Sequence, residues 1–508
     1  MSTPVCAADE DSAWSGFGGG PEHAHLSEWS TEGNRGGLTW QLRFNAIIGG
    51  QPVITDRDTL IVNDISGNVT EISANGTVIR QVNLGEGCKC TPALGANDTI
   101  VIASGDTLHM LDRNLTGIWS MNFTRQLSSP TFALDGTIYI STETIGLVST
   151  SGLYAISKEG AVKWFIPNQY VDSGKTPAVG PDGTIYDGGM ELPVRAVSPE
   201  GQVLWQHRGF DPAERSSADS APICVGPDGT VYVGTYDQGM YAFNSDGTVK
   251  WRFEVEDAIT TSASLGPDGT VYFSTQDLFS YGISSGQRLF AIDEHGDCKW
   301  SFKLNSALSS SAAVSPDGRI YLYDLLSGLI ALDQYGDVIW IAGGWPDISG
   351  QEPGSPVIGK DGTVYGLLND GLMAFNIGAP GQPRDVKVSR DGSEARLSWD
   401  LPYTDGGSEI TGYVIYRNAW RSDPFYYEEQ VLVATIDGPG VRSFQDQGLV
   451  EDVYYVYQVC AINGHGEGLG AVAEPMENDL AWQFPLAVVL VLMASVIWVR
   501  YGLGSDEE

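Results

Sequence analysis

The chain has 508 residues, and its 64 acidic side chains outnumber 28 lysines and arginines, giving a formal net charge of −36. A surface this acidic repels phosphate groups, so the composition excludes nucleic acid and anionic lipid headgroups as partners. Six cysteines are too few to form a disulfide scaffold in a chain of this length. The chain is long enough to form two domains, each with its own hydrophobic core. An acidic, lysine-poor surface favours a prokaryotic protein from a salty medium, and an ordinary acidic secreted protein is the alternative.

Residues 1–25 form an N-terminal segment that precedes the first predicted strand. Met1–Ala7 lacks the apolar stretch of a signal peptide. The small residues of Val5-Cys-Ala7 are nevertheless of the kind found at signal peptidase sites. We therefore expect a secretion signal upstream of Met1, and a tail-anchored cytosolic protein is the alternative.

A strand-turn-strand pattern recurs about every 40 residues in the range 26–378. Its clearest copy comprises Gly226-Pro-Asp-Gly-Thr-Val-Tyr232, Gly239-Met-Tyr-Ala-Phe243 and Asp246-Gly-Thr-Val-Lys-Trp251. Asp-Gly between alternating apolar runs favours a tight hairpin, because such a turn needs positive φ. Repeats of this length are typical of propellers, solenoids and arrays.

The pattern contains eight hairpin turns and eight fourth strands. Seven fourth strands end in tryptophan, and Arg80 holds the equivalent place in the other. The seven are Trp40, Trp119, Trp164, Trp205, Trp251, Trp300 and Trp340. Trp40 precedes the first hairpin and the last hairpin has no fourth strand after it, so we expect Leu38–Phe44 to pair with Gly371–Phe375. The sequence thus predicts an all-β fold, an eight-bladed β-propeller closed by its N- and C-terminal strands, which hides the sheet edges.

Small residues accompany the tryptophans. An alanine stands nine positions before most of them, as Ala242 does before Trp251. We expect this alanine to leave room for an indole from the neighbouring sheet, and the tryptophans to be buried between blades. Glu71 and Met110 replace the alanine in the first two blades, which we interpret as degenerate.

The ending Ala-Phe/Ile-x-x-x-Gly-x-x-x-Trp resembles the repeat of the pyrroloquinoline-quinone (PQQ)-type eight-bladed propellers. The segment Trp14-Ser-Gly-Phe-Gly-Gly-Gly-Pro-Glu-His23 also resembles a Trp-x-x-Phe-x-Gly-x-Pro-x-His segment of that family. The resemblance covers residues 14–378 and implies the fold. The family includes both quinone-dependent dehydrogenases and cofactor-free scaffolds, so the resemblance leaves the activity open.

A dehydrogenase of this family would need a Ca²⁺ site of carboxylate and amide side chains, an aspartate base, a tryptophan beneath the quinone and, in many members, adjacent cysteines. Cys88 and Cys90 are separated by a lysine, and repeat aspartates such as Asp228 are explained by the hairpin turns. His23 and His25 belong to the N-terminal motif, and no hydrolase, phosphate-loop or zinc-protease motif appears. We therefore predict no catalytic residue, cofactor or metal site, and no enzymatic activity.

Candidate contacts with other molecules lie in sequons and long loops. Five Asn-x-Thr sequons predict glycosylation if the chain is exported, and the alternative is that Asn and Thr are simply common in turns. Four loops that break the repeat period are candidates for binding a sugar or a peptide, with ordinary blade connections as the alternative. The sequons are Asn68, Asn75, Asn97, Asn114 and Asn122, and the loops are 142–151, 207–220, 278–287 and 343–354.

A Gly/Pro linker at 378–383 precedes a different pattern of alternating strands. Residues 383–475 resemble a fibronectin type III β-sandwich. The resemblance implies that Trp399 is its core tryptophan and that Tyr455 is a corner tyrosine whose hydroxyl bonds to nearby backbone.

Residues 481–501 are predicted to be a single transmembrane helix. Ala481–Val499 has only Gln483 and Ser495 as clearly polar residues, and at ~1.5 Å per residue it reaches roughly 28 Å. Arg500 follows the run and favours a cytoplasmic C-terminus, with 502–508 as a short acidic tail. A buried core helix is the alternative.

Three functions follow from these features. The first is a membrane-anchored extracytoplasmic binding or scaffold protein, a single-pass protein of the cell membrane whose propeller face binds an unknown protein or glycan. The second is a PQQ-dependent dehydrogenase. The third is an extracellular hydrolase or lyase acting on glycans or peptides.

Overall fold

The computed structural model describes residues 14–475, apart from 88–89, 124, 143–150, 169–174, 190–191, 208–220, 236–238, 277–286, 306–309, 325–326, 344–353, 369–370, 422–425 and 452. The regular secondary structure of the described residues is all β, as predicted, apart from short 3₁₀ turns at Phe17–Gly19 and Ala96–Asp98. They include no helix with the length and apolarity needed to cross a bilayer. The predicted membrane helix, 481–501, and the tail, 502–508, lie outside them.

Eight four-stranded antiparallel sheets occupy the described residues from 37 to 376 and are numbered here in chain order. Sheet 1 comprises Val53–Ile54, Thr59–Asn63, Asn68–Ser73 and Val78–Asn83, and sheet 2 comprises Ala93–Gly95, Thr99–Ser104, Thr107–Leu111 and Gly117–Asn122. Sheet 3 comprises Thr131–Phe132, Ile138–Thr142, Gly152–Ile156 and Val162–Pro167, and sheet 4 comprises Ala178–Val179, Ile185–Gly189, Leu192–Val197 and Val203–His207. Sheet 5 comprises Cys224–Val225, Val231–Thr235, Gly239–Phe243 and Val249–Glu254, and sheet 6 comprises Ser264–Leu265, Val271–Ser274, Arg288–Ile292 and Cys298–Lys303. Sheet 7 comprises Ala313–Val314, Ile320–Asp324, Gly328–Leu332 and Val338–Gly343, and sheet 8 comprises Val357–Ile358, Val364–Leu368, Gly371–Asn376 and Gly37–Arg43.

Sheet 8 joins the two ends of this region. Its fourth strand, Gly37–Arg43, pairs antiparallel with Gly371–Asn376 and places Trp40 opposite Ala374. The pairing between these distant segments is the one that the sequence predicts. It covers the outer edge of the last hairpin with a strand that comes before the first one.

In most sheets a tyrosine, an alanine and a tryptophan lie side by side. In sheet 5 Ala242 pairs with Tyr232 on one side and with Trp251 on the other. The two aromatic rings meet over the alanine, with centroids 5.9 Å apart. Equivalent contacts occur in sheets 3, 4, 6, 7 and 8 at 5.6 to 6.0 Å. The alanine therefore makes room for rings of its own sheet, and the expectation that it accommodates an indole of the neighbouring sheet is wrong.

The contact between neighbouring sheets is made on glycine. Trp205 of sheet 4 lies over Gly247, where a Cβ would come within 2.6 Å of the indole, and its Nε1 donates to Ser245 O at 2.8 Å. Gly247 has a φ of +84°, so the turn and the indole both require a residue without a side chain. Six junctions share this arrangement: Trp40 on Gly76, Trp119 on Gly160, Trp164 on Gly201, Trp205 on Gly247, Trp251 on Gly296 and Trp300 on Gly336.

The junction between sheets 7 and 8 keeps the glycine but changes the hydrogen bond. No hairpin turn joins the third and fourth strands of sheet 8, and Gly36, at a φ of +68°, lies under Trp340 instead. The carbonyl two residues earlier, that of Asn34, accepts from Arg319 Nη1 at 3.2 Å, and Trp340 Nε1 has no acceptor among the described residues. Trp251 and Trp340 are buried, whereas the other five repeat tryptophans are half-buried over the turn of the next sheet. The prediction that the repeat tryptophans are buried therefore holds for two of the seven.

Arg80 takes the place of the indole between sheets 1 and 2. Arg80 and Glu71 hold the tryptophan and alanine positions, and Arg80 Nε lies 2.8 Å from Glu71 Oε2. Leu115 occupies the turn position at a φ of +64°, which is tolerated because no indole lies over it. Arg80 Nη1 donates instead to Asn114 Oδ1 at 2.8 Å. With this junction, side-chain contacts join each sheet to the next, from sheet 1 through sheet 8 and from sheet 8 back to sheet 1.

A β-sandwich of two four-stranded sheets follows. Trp399 is buried in its core, and the Tyr455 hydroxyl accepts a hydrogen bond from Val450 N at 3.1 Å. The strands are Arg384–Asp391, Glu394–Asp400, Ser443–Gln447 and Glu474–Pro475 in one sheet, and Gly412–Arg421, Tyr426–Asp437, Tyr454–Asn463 and Gly466–Val472 in the other.

The sandwich is attached where the chain ends of sheet 8 meet. Ala379 and Leu38 exchange backbone hydrogen bonds of 2.9 and 3.0 Å, which extend the closing strand pair into the linker. Buried Asn463 donates to Gly378 O at 2.8 Å and to Asp405 O at 2.7 Å. Leu469 of the sandwich packs in the same hydrophobic cluster as Trp340. The sandwich and the closing strand pair therefore support each other.

Replacing Asn463 tests this junction. We expect Asn463→Ala to lower the free energy of unfolding by about 1–3 kcal/mol, because the buried carbonyl of Gly378 and the carbonyl of Asp405 lose their donor. Chemical denaturation of the full chain measures the change. Asn244→Ala, which removes an exposed bond to Thr248 Oγ1, is the matched control and should cost less than about 1 kcal/mol. Equal losses in the two variants would contradict the proposed support.

Candidate functional site

Residues 14–27, here called the plug, run along the inner strands of the sheets. The first strand of each sheet is an edge strand, so its free N–H groups need partners. Carbonyl groups of the plug accept six of these N–H groups at 2.7 to 2.9 Å, one from each of six sheets. The pairs are Ile54 with Trp14, Leu94 with Ser15, Val179 with Pro21, Val225 with Glu22, Leu265 with Ala24 and Val314 with His25. The plug therefore binds together sheets that are far apart in sequence.

Two histidines of the plug are buried. His23 Nδ1 donates to Ile223 O at 3.1 Å, and its Nε2 lies 3.4 Å from Thr131 Oγ1, so this ring connects sheets 5 and 3. His25 packs against the Phe17 ring, and neither of its ring nitrogens has a hydrogen-bond partner in the part of the chain that the structure describes. Burial lowers the pKa of His23 to about 4 and that of His25 to about 3. Both rings are neutral near pH 7 and enclosed, so they serve packing rather than proton transfer to a substrate.

A cleft of about 270 Å³ opens beside the plug, between sheets 3 and 4. Glu22 of the plug is half-buried and lines the cleft, and burial raises the pKa of its carboxyl group. Leu134 and Asp135 come from the first turn of sheet 3, and Asp182 comes from the equivalent turn of sheet 4. The other lining residues are Pro21, Ala133, Tyr139, Val179, Gly180, Pro181, Gly183 and Pro199. The cleft thus combines carboxyl groups with apolar walls.

The loops that the sequence nominates for ligand binding lie largely outside the described residues. The missing parts are 143–150, 208–220, 277–286 and 344–353. The strand ends beside the first loop, Thr142 and Gly152, lie at the end of sheet 3 opposite the plug and are joined by a hydrogen bond of 3.0 Å. The cleft is therefore a site that sequence reasoning did not identify, because its residues come from the plug and from turns of two sheets.

The five sequons are all on sheets 1 and 2. Asn75, Asn97 and Asn114 are exposed in turns at the plug end of these sheets. Asn68 is half-buried, and its Nδ2 donates to Asp64 Oδ2 at 2.8 Å. Asn122 is exposed, with its Nδ2 3.0 Å from Asp106 Oδ1. Glycosylation of these residues stays a prediction.

Several buried carboxylates are held by arginines. Asp187 forms two hydrogen bonds of 2.6 Å with Arg195, and Asp98 accepts from Arg57 Nε at 3.1 Å. Burial raises the pKa of Asp98 to about 6. Within the part of the chain that the structure describes, no group of three His, Cys, Asp or Glu side chains is placed to hold a metal ion. The described cysteines, Cys90, Cys224, Cys298 and Cys460, are free thiols, and Cys88 lies outside the description.

The residues around the plug do not fit a quinone held through Ca²⁺. Such an ion takes several carboxylate or carbonyl oxygens that converge on one point. The inner strands instead begin with neutral side chains that bond the next sheet: Gln51 N donates to Thr91 Oγ1 at 3.0 Å, and Thr91 N donates to Ser129 Oγ at 2.9 Å. These groups join sheet to sheet rather than facing a common ligand.

Comparison with known proteins agrees with this architecture. A family described as "Outer membrane protein assembly factor BamB" matches residues 66–244 and 190–382, and the fibronectin type III domain matches residues 381–477. A titin homolog of Caenorhabditis elegans is 29% identical over 107 residues, which is 21% of this chain and, after rounding, 0% of that protein. Little of the titin homolog's length is therefore represented here.

Two solved structures are similar in fold. The quinohemoprotein alcohol dehydrogenase ADHIIG from Pseudomonas putida HK5 has a TM-score of 0.58 at 12% identity, covering 77% of this chain and 86% of that chain. The quinohemoprotein alcohol dehydrogenase from Comamonas testosteroni has a TM-score of 0.57 at 13% identity, covering 76% and 83%. Likeness at this identity shows the fold alone.

The family match extends over residues 66–382, more than half of the chain, and it agrees with the propeller-like sheets. The chain therefore belongs to the Outer membrane protein assembly factor BamB family, with a fibronectin type III domain after its propeller-like region.

Proposed function

We propose that the chain is a membrane-anchored, extracytoplasmic binding or scaffold protein built on an eight-bladed propeller. The observation that carries this proposal is the plug, which occupies the inner strands with the chain's own backbone and joins six sheets. A propeller filled in this way is a rigid frame, and its remaining surfaces are available for a protein or glycan ligand.

The electrostatics of the described residues support binding rather than catalysis. A general base needs a pKa matched to its task and access to a substrate. His23 and His25 have lowered pKa values but are enclosed, and Asp187 is committed to Arg195. The fibronectin type III domain, fixed at the strand closure through Asn463, acts as a spacer in this proposal.

The membrane anchor of this proposal is the predicted helix 481–501, which contains the apolar run Ala481–Val499 and lies outside the described residues. We expect the full chain to sediment with membranes and to resist alkaline carbonate extraction, because a run of this length matches a hydrocarbon core. A chain that ends at residue 480 should appear in the soluble fraction with an unchanged unfolding transition. Sedimentation of both chains with membranes would contradict the anchor.

Quinone binding tests the alternative function of a dehydrogenase. We expect equilibrium dialysis with pyrroloquinoline quinone and Ca²⁺ to show no binding at micromolar concentration, because the inner strands of sheets 1 to 3 begin with neutral groups that bond to one another rather than with converging carboxylates. One quinone bound per chain and released by a chelator, with reduction of a dye by an alcohol, would replace the scaffold proposal with a dehydrogenase.

A further inference from the structure

The β-sandwich has one end at the propeller-like region and the other end away from it. The strand Tyr454–Asn463 runs between these two ends. It finishes at Asn463, which donates to the linker carbonyl of Gly378 at 2.8 Å. It begins at the opposite end, here called the outer pole, which comprises the turn 391–393 and residues 448–451. The ten residues of this strand span roughly 33 Å, so the sandwich holds the outer pole well away from the propeller-like region.

Hydrogen bonds fix the backbone of the outer pole. Arg390 donates from Nη1 to Val453 O and from Nη2 to Val450 O, both at 2.6 Å. Leu449 N donates to Ser393 O at 2.9 Å and so joins the two parts of the pole. Val450 is 55% exposed on this fixed loop. The outer pole therefore presents an apolar side chain to its surroundings from a well-defined position.

The last described strand runs towards the outer pole. Glu474 and Pro475 pair with Lys387 and Val388, and the pairing is parallel. The strand that contains Val388 continues to Asp391 at the outer pole, and three residues of a strand span roughly 10 Å. Because the two strands are parallel, the chain at Pro475 is directed towards the same pole.

The tether from Pro475 to the predicted membrane helix is short. The six residue steps from Pro475 to Ala481 reach at most roughly 20 Å. About 10 Å of that length is needed to reach the level of the outer pole, so the helix begins at most about 10 Å beyond it. The headgroup layer on each side of a bilayer is roughly 5–8 Å thick. A helix that begins at the edge of the hydrocarbon core therefore brings the outer pole to the headgroups.

The residue types at this end suit a membrane interface. In the outermost pairs of the second sheet, Trp420 lies opposite Tyr427 on one side and opposite Tyr454 on the other. Tryptophan and tyrosine are the residues enriched at the headgroup level of membrane proteins. The net charge of −36 repels anionic lipids, so zwitterionic headgroups are the chemistry that fits.

We propose that the outer pole of the fibronectin type III domain rests on the bilayer that holds the predicted helix, with Val450 among zwitterionic headgroups. The inference rests on the proposed membrane anchor and identifies the surface that the spacer domain contacts. The domain then stands upright on the membrane and holds the propeller-like region roughly 33 Å from the lipid surface.

Photo-crosslinking to lipid tests this contact in the full chain, reconstituted in phosphatidylcholine vesicles. Val450 is replaced by p-benzoylphenylalanine in the test variant, and Leu432 is replaced in the matched control. Leu432 is 59% exposed in the same domain, and it lies six residues into the strand Tyr426–Asp437, roughly 20 Å from the outermost pairs. We expect mass spectrometry to find at least about fivefold more lipid adduct at position 450 than at position 432, because only position 450 reaches the headgroups.

Lengthening the tether separates a held contact from chance collision with lipid. About twenty glycine and serine residues inserted between Asn478 and Asp479 add roughly 25 Å of flexible chain. We expect the adduct at position 450 to fall to the level at position 432, while the fraction of chain bound to vesicles is unchanged. Equal adducts at positions 450 and 432 without the insertion, or an adduct at position 450 that the insertion leaves unchanged, would overturn the proposal. Both substituted residues are exposed, and an unchanged unfolding transition checks that the variants fold.

The result is separable from the proposed function. Equal adducts at the two positions in a chain that stays with the vesicles would refute the contact and leave the anchor and the binding function intact. A full chain that the vesicles do not retain would refute the anchor, and the contact with it.

Discussion

The stacking of an indole on a glycine of the next sheet is the contact on which the rest of the structure depends. The indole needs a surface without a Cβ, and the turn needs positive φ, so one glycine satisfies two requirements at once. The Nε1 bond to the neighbouring carbonyl then fixes the angle at which the sheets meet. Where Arg80 replaces the indole, Leu115 replaces the glycine, which shows that the two positions depend on each other.

The closure, the plug and the C-terminal domain extend this arrangement. Gly36 lets Trp340 dock on the strand that closes sheet 8, even though no hairpin turn exists there. The plug satisfies inner-edge amides with backbone carbonyls, so distant sheets share one segment of chain. The fibronectin type III domain is anchored at the closure through Asn463, and the cleft between sheets 3 and 4 is formed where the plug passes two of the turns.

The sequence predicts the parts of this structure that depend on local pattern. Asp-Gly turns, alternating strands and the early position of Trp40 were sufficient to place the hairpins and the closing strand. The role of Ala242 was predicted wrongly, because a repeat period does not tell whether a small residue faces its own sheet or the next. The ion pair of Glu71 and Arg80 was detectable in principle, because both replacements fall at matched positions of one repeat.

Other features leave weaker signals in the sequence. The plug is held by backbone carbonyls, which every residue has, so its contacts carry no side-chain pattern. The cleft depends on residues from three distant segments, so no single stretch of the sequence marks it. The orphaned ring nitrogens of His25 follow from enclosure by the plug, which a linear motif does not reveal.

Substituting two glycines of sheet 5 tests the central claim most directly. Gly247 and Gly229 have φ values of +84° and +80°, but a Cβ would meet the Trp205 indole at 2.6 Å in the first case and only Ser245 Cβ at 3.7 Å in the second. Both alanine variants should lose about 1–2 kcal/mol for the left-handed backbone, and Gly247→Ala should lose a further ~1–3 kcal/mol from overpacking. Chemical denaturation of each variant measures these losses, and the additional loss should vanish when Trp205 is also replaced by alanine. Equal losses for Gly247→Ala and Gly229→Ala would contradict the account.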